Sequence, residues 1–408
     1  MIPLAEPNLI GNEARYLREC VETNFVSSVG PFVDRFESLV AEAAGTPQAV
    51  ATASGTTALH VALAALKIER DDLVAMPSFT FIATANAASY VGAGPCFVDV
   101  EPTSWTLDPR ALDGTISGDF ERQANGLRHR QSGRRLGAIL AVHTLGHPAD
   151  MDRLGAVASA HGLPLVVDAA CALGAMYKGR PAAGLGTIAA LSFNGNKTVT
   201  CGGGGALVST DAALLAAARH LATTARTSRN YDHDRIGFNY RMTNLEAAVG
   251  VAQMERLASL VAAKRRIAGR YDKAFAGHPW LQPFPRAPWG ESACWYAGAV
   301  LAENSPVDLD TVIARLHDRG IGARRFWKPV HLQSPYADCP RTPLPITDSI
   351  WNRVLTLPCS TGLAPKDQET VIDAVLAILD AGRPLSHASL RSSPRPTGKG
   401  ETPRSARG

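Results

Sequence analysis

Between residues 45 and 210, short apolar segments alternate with segments whose apolar residues recur at helical spacing, and this alternation constrains the fold most. The apolar segments predicted to be strands are 49–53, 72–76, 95–100, 137–143, 164–168, 188–193 and 205–209. Strands that are joined through helices pair in parallel, because the crossover returns each strand in the same direction. The sequence therefore predicts an α/β fold with a mainly parallel seven-stranded sheet and helices on both of its faces.

The length of the chain implies more than one folded unit, because 408 residues exceed one ordinary hydrophobic core. We predict a large domain with an N-terminal extension over 1–255, a smaller C-terminal α/β domain over 256–385, and a disordered Ser/Arg/Pro/Gly-rich tail over 386–408. A long helical pattern from Thr243 to about Phe275 would bridge the two domains. The polar segment 112–135 is predicted to be an irregular surface insertion.

Composition argues against several classes of function. Hydrophobic residues form 46% of the chain and charged residues 19%, as in a soluble globular protein, and the net charge of +4 gives no nucleic-acid footprint. No run reaches the about 18 apolar residues of a membrane span, and the first residues do not resemble an export signal. The seven cysteines lack CxxC spacing, so we expect no disulfide framework, no metal site and a cytoplasmic location.

Three motifs indicate the chemistry. Lys197 ends the segment Ser-Phe-Asn-Gly-Asn-Lys, and Asp168 ends the strand-like segment Leu-Val-Val-Asp. A lysine amine can condense with the aldehyde of pyridoxal 5′-phosphate (PLP), while a carboxylate can keep the pyridine nitrogen protonated. Upstream, Ser-Gly-Thr-Thr at 54–57 opens a helical pattern whose N-terminus would bind a phosphate, with Gly55 permitting close approach. Together the motifs predict a PLP site with Lys197 and Asp168 as catalytic residues.

Seven segments extend this interpretation, and they occur in the order Ser54-Gly-Thr-Thr-Ala-Leu, Pro77-Ser-Phe-Thr-Phe-Ile-Ala-Thr-Ala-Asn, Phe97-Val-Asp-Val-Glu-Pro, Gly146-His-Pro-Ala-Asp-Met-Asp, Asp168-Ala-Ala, Gly237-Phe-Asn-Tyr-Arg-Met-Thr-Asn-Leu-Glu-Ala-Ala and Pro329-Val-His-Leu-Gln. With them the chain resembles the PLP-dependent nucleotide-sugar aminotransferases of the DegT/DnrJ/EryC1/StrS family from residue 2 to about residue 363. The resemblance implies the aminotransferase fold type I and a homodimer with shared active sites.

The resemblance also assigns cofactor contacts to individual positions. Thr56, Thr57 and Ser192 would bind the phosphate, beside Gly55. Phe81 would stack on the pyridine ring, as an aromatic face can.

Three further positions complete the implied cofactor site. Lys197 would hold the cofactor and later move the proton, and Asn239 would reach across the dimer to the partner's phosphate. Where the family commonly has glutamine near the cofactor, this chain has Cys171, whose thiol cannot reproduce the hydrogen bonds of an amide. Its contact with the cofactor therefore departs from the family pattern.

The substrate is suggested by the glycine-rich segment at 202–205 and by Asn194-Gly-Asn-Lys. They resemble a branch of the family that aminates C4 of UDP-linked 4-keto-6-deoxy-N-acetylhexosamines. Glutamate would be the donor, with pyridoxamine 5′-phosphate as the amine-carrying form of the cofactor, in amino-sugar biosynthesis for a surface polysaccharide, glycoconjugate or natural product. Arg229, Asn230, Tyr231 and His331 are candidate contacts to the nucleotide sugar. Arg229 is chosen because a guanidinium suits a diphosphate, and His331 is implied by the family resemblance.

Two alternatives fit the same motifs. One is a regulatory protein that holds PLP without catalysis, and a half-reaction with glutamate would separate it from an enzyme. The other is a sugar dehydratase that uses pyridoxamine 5′-phosphate. Since enzymes of that second type carry a histidine in place of the lysine, Lys197 argues against it.

Overall fold

The structure is a computed structural model, and it describes residues 1–381. Its helices are α1 Glu13–Glu22, α2 Pro31–Ala44, α3 Gly55–Ala65, α4 Ile82–Tyr90, α5 Pro109–Asp119, α6 Met151–His161, α7 Ala212–Ala222, α8 Asn244–Met254, α9 Leu257–Phe275, α10 Leu309–Asp318, α11 Pro345–Ile350 and α12 Pro365–Asp380.

The strands alternate with these helices along much of the chain. They are β1 Gln48–Thr52, β2 Leu73–Pro77, β3 Gly94–Val98, β4 Phe120–Gln123, β5 Gly126–His129, β6 Leu136–Val142, β7 Leu165–Asp168, β8 Met176–Tyr177, β9 Arg180–Pro181, β10 Ile188–Ser192, β11 Gly205–Ser209, β12 Leu281–Gln282, β13 Gly290–Glu291, β14 Ala297–Leu301, β15 Arg324–Arg325 and β16 Val354–Leu357.

A seven-stranded sheet forms the centre of the fold, in the order β1-β11-β10-β7-β6-β2-β3. Only β11 is antiparallel to its neighbours, and the other pairs are parallel. β6 is buried along its whole length, as expected for a parallel strand covered on both faces. The predicted sheet is confirmed, and each predicted strand lies within two residues of its observed position.

Helices cover both faces because successive side chains of a strand point in opposite directions. In β1, Ala49 and Ala51 pack into a core with α2 and α8, whereas Val50 packs into a core with α3 and α7. Ser54 is the N-cap of α3: its side chain accepts a hydrogen bond from the Thr57 N–H, and its own N–H donates to the Thr57 hydroxyl. This capping box fixes where the helix starts after β1.

A second, antiparallel sheet lies later in the chain, in the order β12-β14-β16-β15. It packs with α9, α10 and α12 into a core of its own. The first residues join this part of the molecule, since Ile2 exchanges main-chain hydrogen bonds with Gly320 and Gly322, and Leu4 accepts one from Cys359. The predicted boundary at residues 255 and 256 stays a prediction.

The segment 112–135 corrects one expectation, because it is regular rather than irregular. It contains most of α5 and the hairpin of β4 and β5. Leu112 and Ile116, four residues apart, are both buried, and Phe120 and Leu127 join them in the core. The few apolar residues therefore lie at helical and hairpin positions, although polar residues outnumber them.

The segment from Thr243 to Phe275 is helical, as predicted, but it forms two helices and not one continuous helix. It forms α8 and α9, and the helices are separated at Glu255 and Arg256. The predicted disordered tail, 386–408, lies outside the described residues.

Candidate active site

Two adjacent parallel strands bring the first site residues to one edge of the central sheet. Asp168 is the last residue of β7, and Ser192 is the last residue of β10. The strands are parallel and in register, with Ala190 opposite Asp168, so both carboxyl ends meet at the same edge. In open α/β sheets this edge is where ligands bind.

The Asp168 carboxylate is held in a fixed orientation at that edge. It is 7% exposed, and it accepts hydrogen bonds from the Thr84 hydroxyl at 2.8 Å and from the Ala170 N–H at 3.1 Å. Burial raises the pKa of Asp168, an effect opposed by these hydrogen bonds and by the charge of Lys197. A buried acid of this kind would be stabilised in its charged form by a cationic ring nitrogen.

Thr84 was not singled out from the sequence as a site residue. It lies on α4 within the segment that begins at Pro77, and it also bonds to the Thr80 hydroxyl at 2.8 Å. The signal that could have identified it is its spacing, one helical turn after Phe81 at the start of α4.

Lys197 lies on the loop that follows β10, and its amine is close to two side chains. Nζ is 3.4 Å from Cys171 Sγ and 4.0 Å from the centroid of the Trp295 ring. Trp295 is fixed in turn, because its indole N–H donates to the Asn196 carbonyl at 2.8 Å. The amine is therefore presented beside an aromatic face and a thiol, in a position where a bound cofactor could reach it.

Cys171 is buried beside Lys197 and is a neutral thiol at physiological pH. Burial raises its pKa to about 11, with a smaller opposing effect from the charge of Lys197. The thiol contributes a soft, uncharged surface next to the amine.

The N-terminus of α3 lies directly against the end of β10. A Cβ on Gly55 would come within 2.7 Å of the Ser192 Cβ, so this close approach requires glycine. The N–H groups of Gly55 and Thr56 belong to the first helical turn, where no intrahelical acceptor exists. These N–H donors, together with the hydroxyls of Thr56 and Ser192, are groups of the kind that bind a phosphate at a helix N-terminus.

Aromatic residues border the same site. Phe81 caps α4 and its side chain is 52% exposed, with its ring centroid 5.9 Å from that of Trp327. Trp327 lies 5.9 Å from Trp295, which contacts Lys197. Three segments distant in sequence thus build one aromatic border, and the two tryptophans were missed because nothing local marks their proximity to Lys197.

The loop between α7 and α8 carries the other predicted contacts on its surface. Arg229, Asn230, Tyr231 and Asn239 are all exposed. The Arg226 guanidinium lies 5.1 Å from the Tyr231 ring centroid. Among the described residues, no hydrogen bond or ring contact joins these four side chains to Lys197 or Asp168. Within one protomer the structure does not assemble them with the catalytic pair.

His331 is buried, and both of its ring nitrogens have partners. Nδ1 lies 2.7 Å from the Ser78 hydroxyl, and Nε2 lies 3.2 Å from the Asp348 carboxylate. Burial lowers the pKa of His331, while Asp348 opposes this effect. The histidine ties its loop to the segment after β2, and its predicted contact with the substrate stays a prediction.

Residues 1–381 lack two further kinds of feature. They contain no group of three or more His, Cys, Asp or Glu residues that could hold a metal ion. Every helix in that range is too short or too polar to span a bilayer.

Comparisons with known proteins agree with this geometry. The model of the DegT/DnrJ/EryC1/StrS aminotransferase family matches residues 7–376. The chain is 38% identical over 382 residues to the GDP-perosamine synthase of Caulobacter vibrioides, covering 93% of this chain and 97% of that protein. It is 33% identical to the GDP-perosamine synthase of Vibrio cholerae, covering 92% and 98%. The crystal structure of DesI with its TDP-sugar product superposes with a TM-score of 0.83 at 29% identity, covering 94% and 93%.

Proposed function

The chain belongs to the DegT/DnrJ/EryC1/StrS aminotransferase family, and from this premise we propose that it transfers the amino group of glutamate to the C4 keto group of a nucleotide-linked keto-6-deoxy sugar. It is a PLP-dependent transaminase of the α/β class. The observation that carries the proposal is that Asp168 and the α3 N-terminus lie at one edge of the central sheet, with Lys197 near enough for its charge to lower the pKa of Asp168. The product would enter amino-sugar biosynthesis.

The residues at this edge fit the cofactor. When bound, PLP supplies an aldehyde that takes up the amine and a pyridinium ring that accepts electrons. Asp168 would pair with the ring nitrogen, because its carboxylate is buried and already oriented by Thr84. Gly55, Thr56 and Ser192 would hold the phosphate. Thr57 would act mainly through the capping box, since its hydroxyl is already bonded to Ser54.

Lys197 is the residue that moves protons in this proposal. Its amine lies on the Trp295 face, beside a neutral thiol rather than a charged group. When it is not bonded to the cofactor, the Lys197 amine would take a proton from the Cα atom of glutamate and return it to the cofactor. Phe81, exposed at the rim, would cover the cofactor ring and limit access of water.

The nucleotide is the finer part of the proposal. The resemblance in the sequence points to UDP, whereas two relatives are named for GDP-perosamine and one structural neighbour holds a TDP-sugar. We place a GDP-linked sugar first and a UDP-linked sugar second. Arg229 and Tyr231 on the exposed loop would contact this substrate across the dimer proposed below, since they do not meet the catalytic pair within one protomer.

A homodimer would complete each site. Large apolar side chains such as Ile10 and Ile236 are 81% and 88% exposed, and Asn239 on the same loop as Ile236 has an exposed amide. Burial of such side chains favours association. In the dimer, Asn239 would bind the phosphate in the partner's site, so that each protomer both gives and receives this loop.

A panel of substrates tests the proposal. The protein loaded with pyridoxamine 5′-phosphate is mixed with GDP-, UDP- and dTDP-linked 4-keto-6-deoxy sugars, and PLP absorbance is followed. Matched 3-keto sugars serve as controls for position. We expect PLP to reappear with a 4-keto sugar, fastest with GDP as carrier. Recovery only with 3-keto sugars, or with none of the panel, would overturn the proposed substrate.

A further inference from the structure

Arg324 and Tyr296 form a polar pair next to the aromatic border of the site. Arg324 Nη2 donates to the Tyr296 hydroxyl at 2.8 Å, and its guanidinium carbon lies 5.0 Å from the Tyr296 ring centroid. Tyr296 directly follows Trp295, and the two ring centroids are 4.3 Å apart. Because the Trp295 ring contacts Lys197 Nζ, one aromatic layer separates the pair from that amine.

The positive charge of Arg324 has no acidic partner. Among the described residues, no carboxylate lies within 4.0 Å of its guanidinium, although the side chain is exposed. The next residue of β15 differs, since Arg325 pairs with Asp310 at 2.6 Å and lies over the Trp351 ring. Consecutive strand residues point to opposite faces, so β15 directs Arg324 to the Tyr296 side and Arg325 away from it.

Tyr296 holds the guanidinium at the border of the site. Its hydroxyl also lies 3.5 Å from the side-chain amide nitrogen of Asn196, the residue before Lys197. The phenol is thus placed between the lysine loop and Arg324. Burial raises the pKa of Tyr296, an effect that the charge of Arg324 opposes, and the phenol stays neutral at physiological pH. An arginine positioned by a neutral hydroxyl keeps its charge available for a ligand.

We propose that Arg324, positioned by Tyr296, binds a carboxylate of the amino donor. The inference rests on the proposed function, in which glutamate supplies the amine. Glutamate carries two carboxylates, and a guanidinium can bind a carboxylate through two parallel hydrogen bonds. The side chains that contact Lys197, those of Cys171 and Trp295, carry no positive charge. Arg324 supplies the cation that this side of the site otherwise lacks.

The diphosphate of the nucleotide sugar is the other anion that a guanidinium could bind. It is attached to C1 of the hexose, across the ring from C4, whereas the α-carboxylate of glutamate is bonded to the reacting carbon itself. A cation one aromatic layer from Lys197 therefore suits the donor better. The two anions belong to different half-reactions, so an experiment can separate them.

Two variants and one matched control test the inference. Arg324→Gln removes the charge and Arg324→Lys keeps it, while Arg325→Gln removes a charge from the same strand on the opposite face. Two single half-reactions are measured: conversion of the PLP form by glutamate, and recovery of PLP when the amine form meets the keto sugar. Binding of glutarate, an unreactive dicarboxylate, is measured by calorimetry on the holoenzyme.

We expect Arg324→Gln to weaken both glutamate and glutarate binding on the order of 10- to 100-fold, as for the loss of hydrogen bonds to a charged group. Arg324→Lys should recover part of this affinity, and Arg325→Gln should match the wild type. The keto-sugar half-reaction should change by less than about 3-fold in every variant.

Three results would overturn the inference. Loss confined to the keto-sugar half-reaction would assign Arg324 to the diphosphate. Unchanged glutamate and glutarate affinities in Arg324→Gln would mean that Arg324 is solvated and binds neither ligand. Absence of glutarate binding to the wild type would mean that the proposed carboxylate site does not exist. Failure of the proposed function is a distinct outcome, since wild-type protein would then bind glutarate but convert no keto sugar.

Discussion

At the scale of single residues, Asp168 determines how strongly a bound cofactor could draw electrons. Its carboxylate accepts bonds from Thr84 and Ala170 and is otherwise buried. An amide in its place would be neutral and would direct an N–H₂ group at one of these donors. The position therefore requires the negative charge of a carboxylate as well as a side chain of this size.

We predict that Asp168→Asn retains PLP but lowers the rate of the glutamate half-reaction on the order of 10²-fold or more, because a neutral partner cannot keep the ring nitrogen protonated. Stopped-flow absorbance measures the rate, and equilibrium dialysis measures the bound cofactor. Asp152→Asn, at an exposed acid paired with Lys178, is the matched control and should behave as wild type. Near-normal turnover in Asp168→Asn would show that the carboxylate is not needed to keep the ring nitrogen protonated.

Cys171 gives a pH-dependent prediction at the same scale. Alkylation requires the thiolate, and burial raises the pKa of this thiol to about 11, so the reactive form is scarce at neutral pH. In cofactor-free protein at pH 7.5, iodoacetamide should modify the half-buried Cys339 before Cys171. Labelling of Cys171 should increase as the pH approaches 11. Mass spectrometry of peptides reads both sites, and rapid labelling of Cys171 at pH 7.5 would disprove the assigned environment.

At the scale of elements, the site depends on two junctions between strands and the start of α3. Gly55 allows the helix to meet the end of β10, and Gly205 allows β11 to pass the main chain of Ser54. A Cβ on Gly205 would overlap the Ser54 carbonyl, and this main-chain group cannot move without shifting the phosphate-binding turn.

We predict that Gly205→Ala destabilises the fold by about 1–3 kcal/mol or more and weakens PLP binding, because the overlap displaces the α3 N-terminus. Urea denaturation and a PLP titration measure the two effects. Gly155→Ala is the control, since a Cβ there meets nothing within 4 Å and alanine favours the helix α6. A Gly205→Ala protein with wild-type stability and cofactor affinity would contradict the described junction.

The elements also show what the sequence could and could not predict. The strands of the central sheet were predictable because each is a short apolar run between helical patterns. Lys197 and Asp168 were predictable because each stands in a motif of its own. Trp295, Trp327 and Arg324 were not, because they come from the second sheet and its surroundings. Tertiary packing alone brings Trp295 to Lys197, Trp327 to Trp295 and Arg324 to Tyr296.

At two places the sequence did not reveal what the structure shows, and each has a local cause. The segment 112–135 looked irregular because its buried residues are few and widely spaced among polar ones. His331 stood in a family motif, yet its ring is occupied by Ser78 and Asp348, and only the structure could reveal both partners.

At the scale of the whole molecule, the exposed loop with Asn239 leads to a test of the shared site. Lys197→Ala and Asn239→Ala proteins should each be impaired, and co-expression should restore part of the activity. A mixed dimer collects both changes in one site and leaves the other intact, so about a quarter of all sites should be active after random assortment. Sedimentation and steady-state assays measure assembly and activity. An active monomer, or no complementation between impaired parents, would rule out shared sites.

The attachment of the cofactor to Lys197 is the claim on which all three scales depend. Reduction of the yellow PLP-loaded protein with borohydride, followed by peptide mass spectrometry, tests it most directly. We predict one modified lysine, Lys197, and none at Lys178, which is paired with Asp152, or at Lys264, which is buried against the carbonyl groups of Trp295 and Cys359. Lys197→Ala should bind PLP only noncovalently and lose turnover. Cofactor trapped on any other lysine, or no covalent cofactor in the wild type, would contradict the assigned active site.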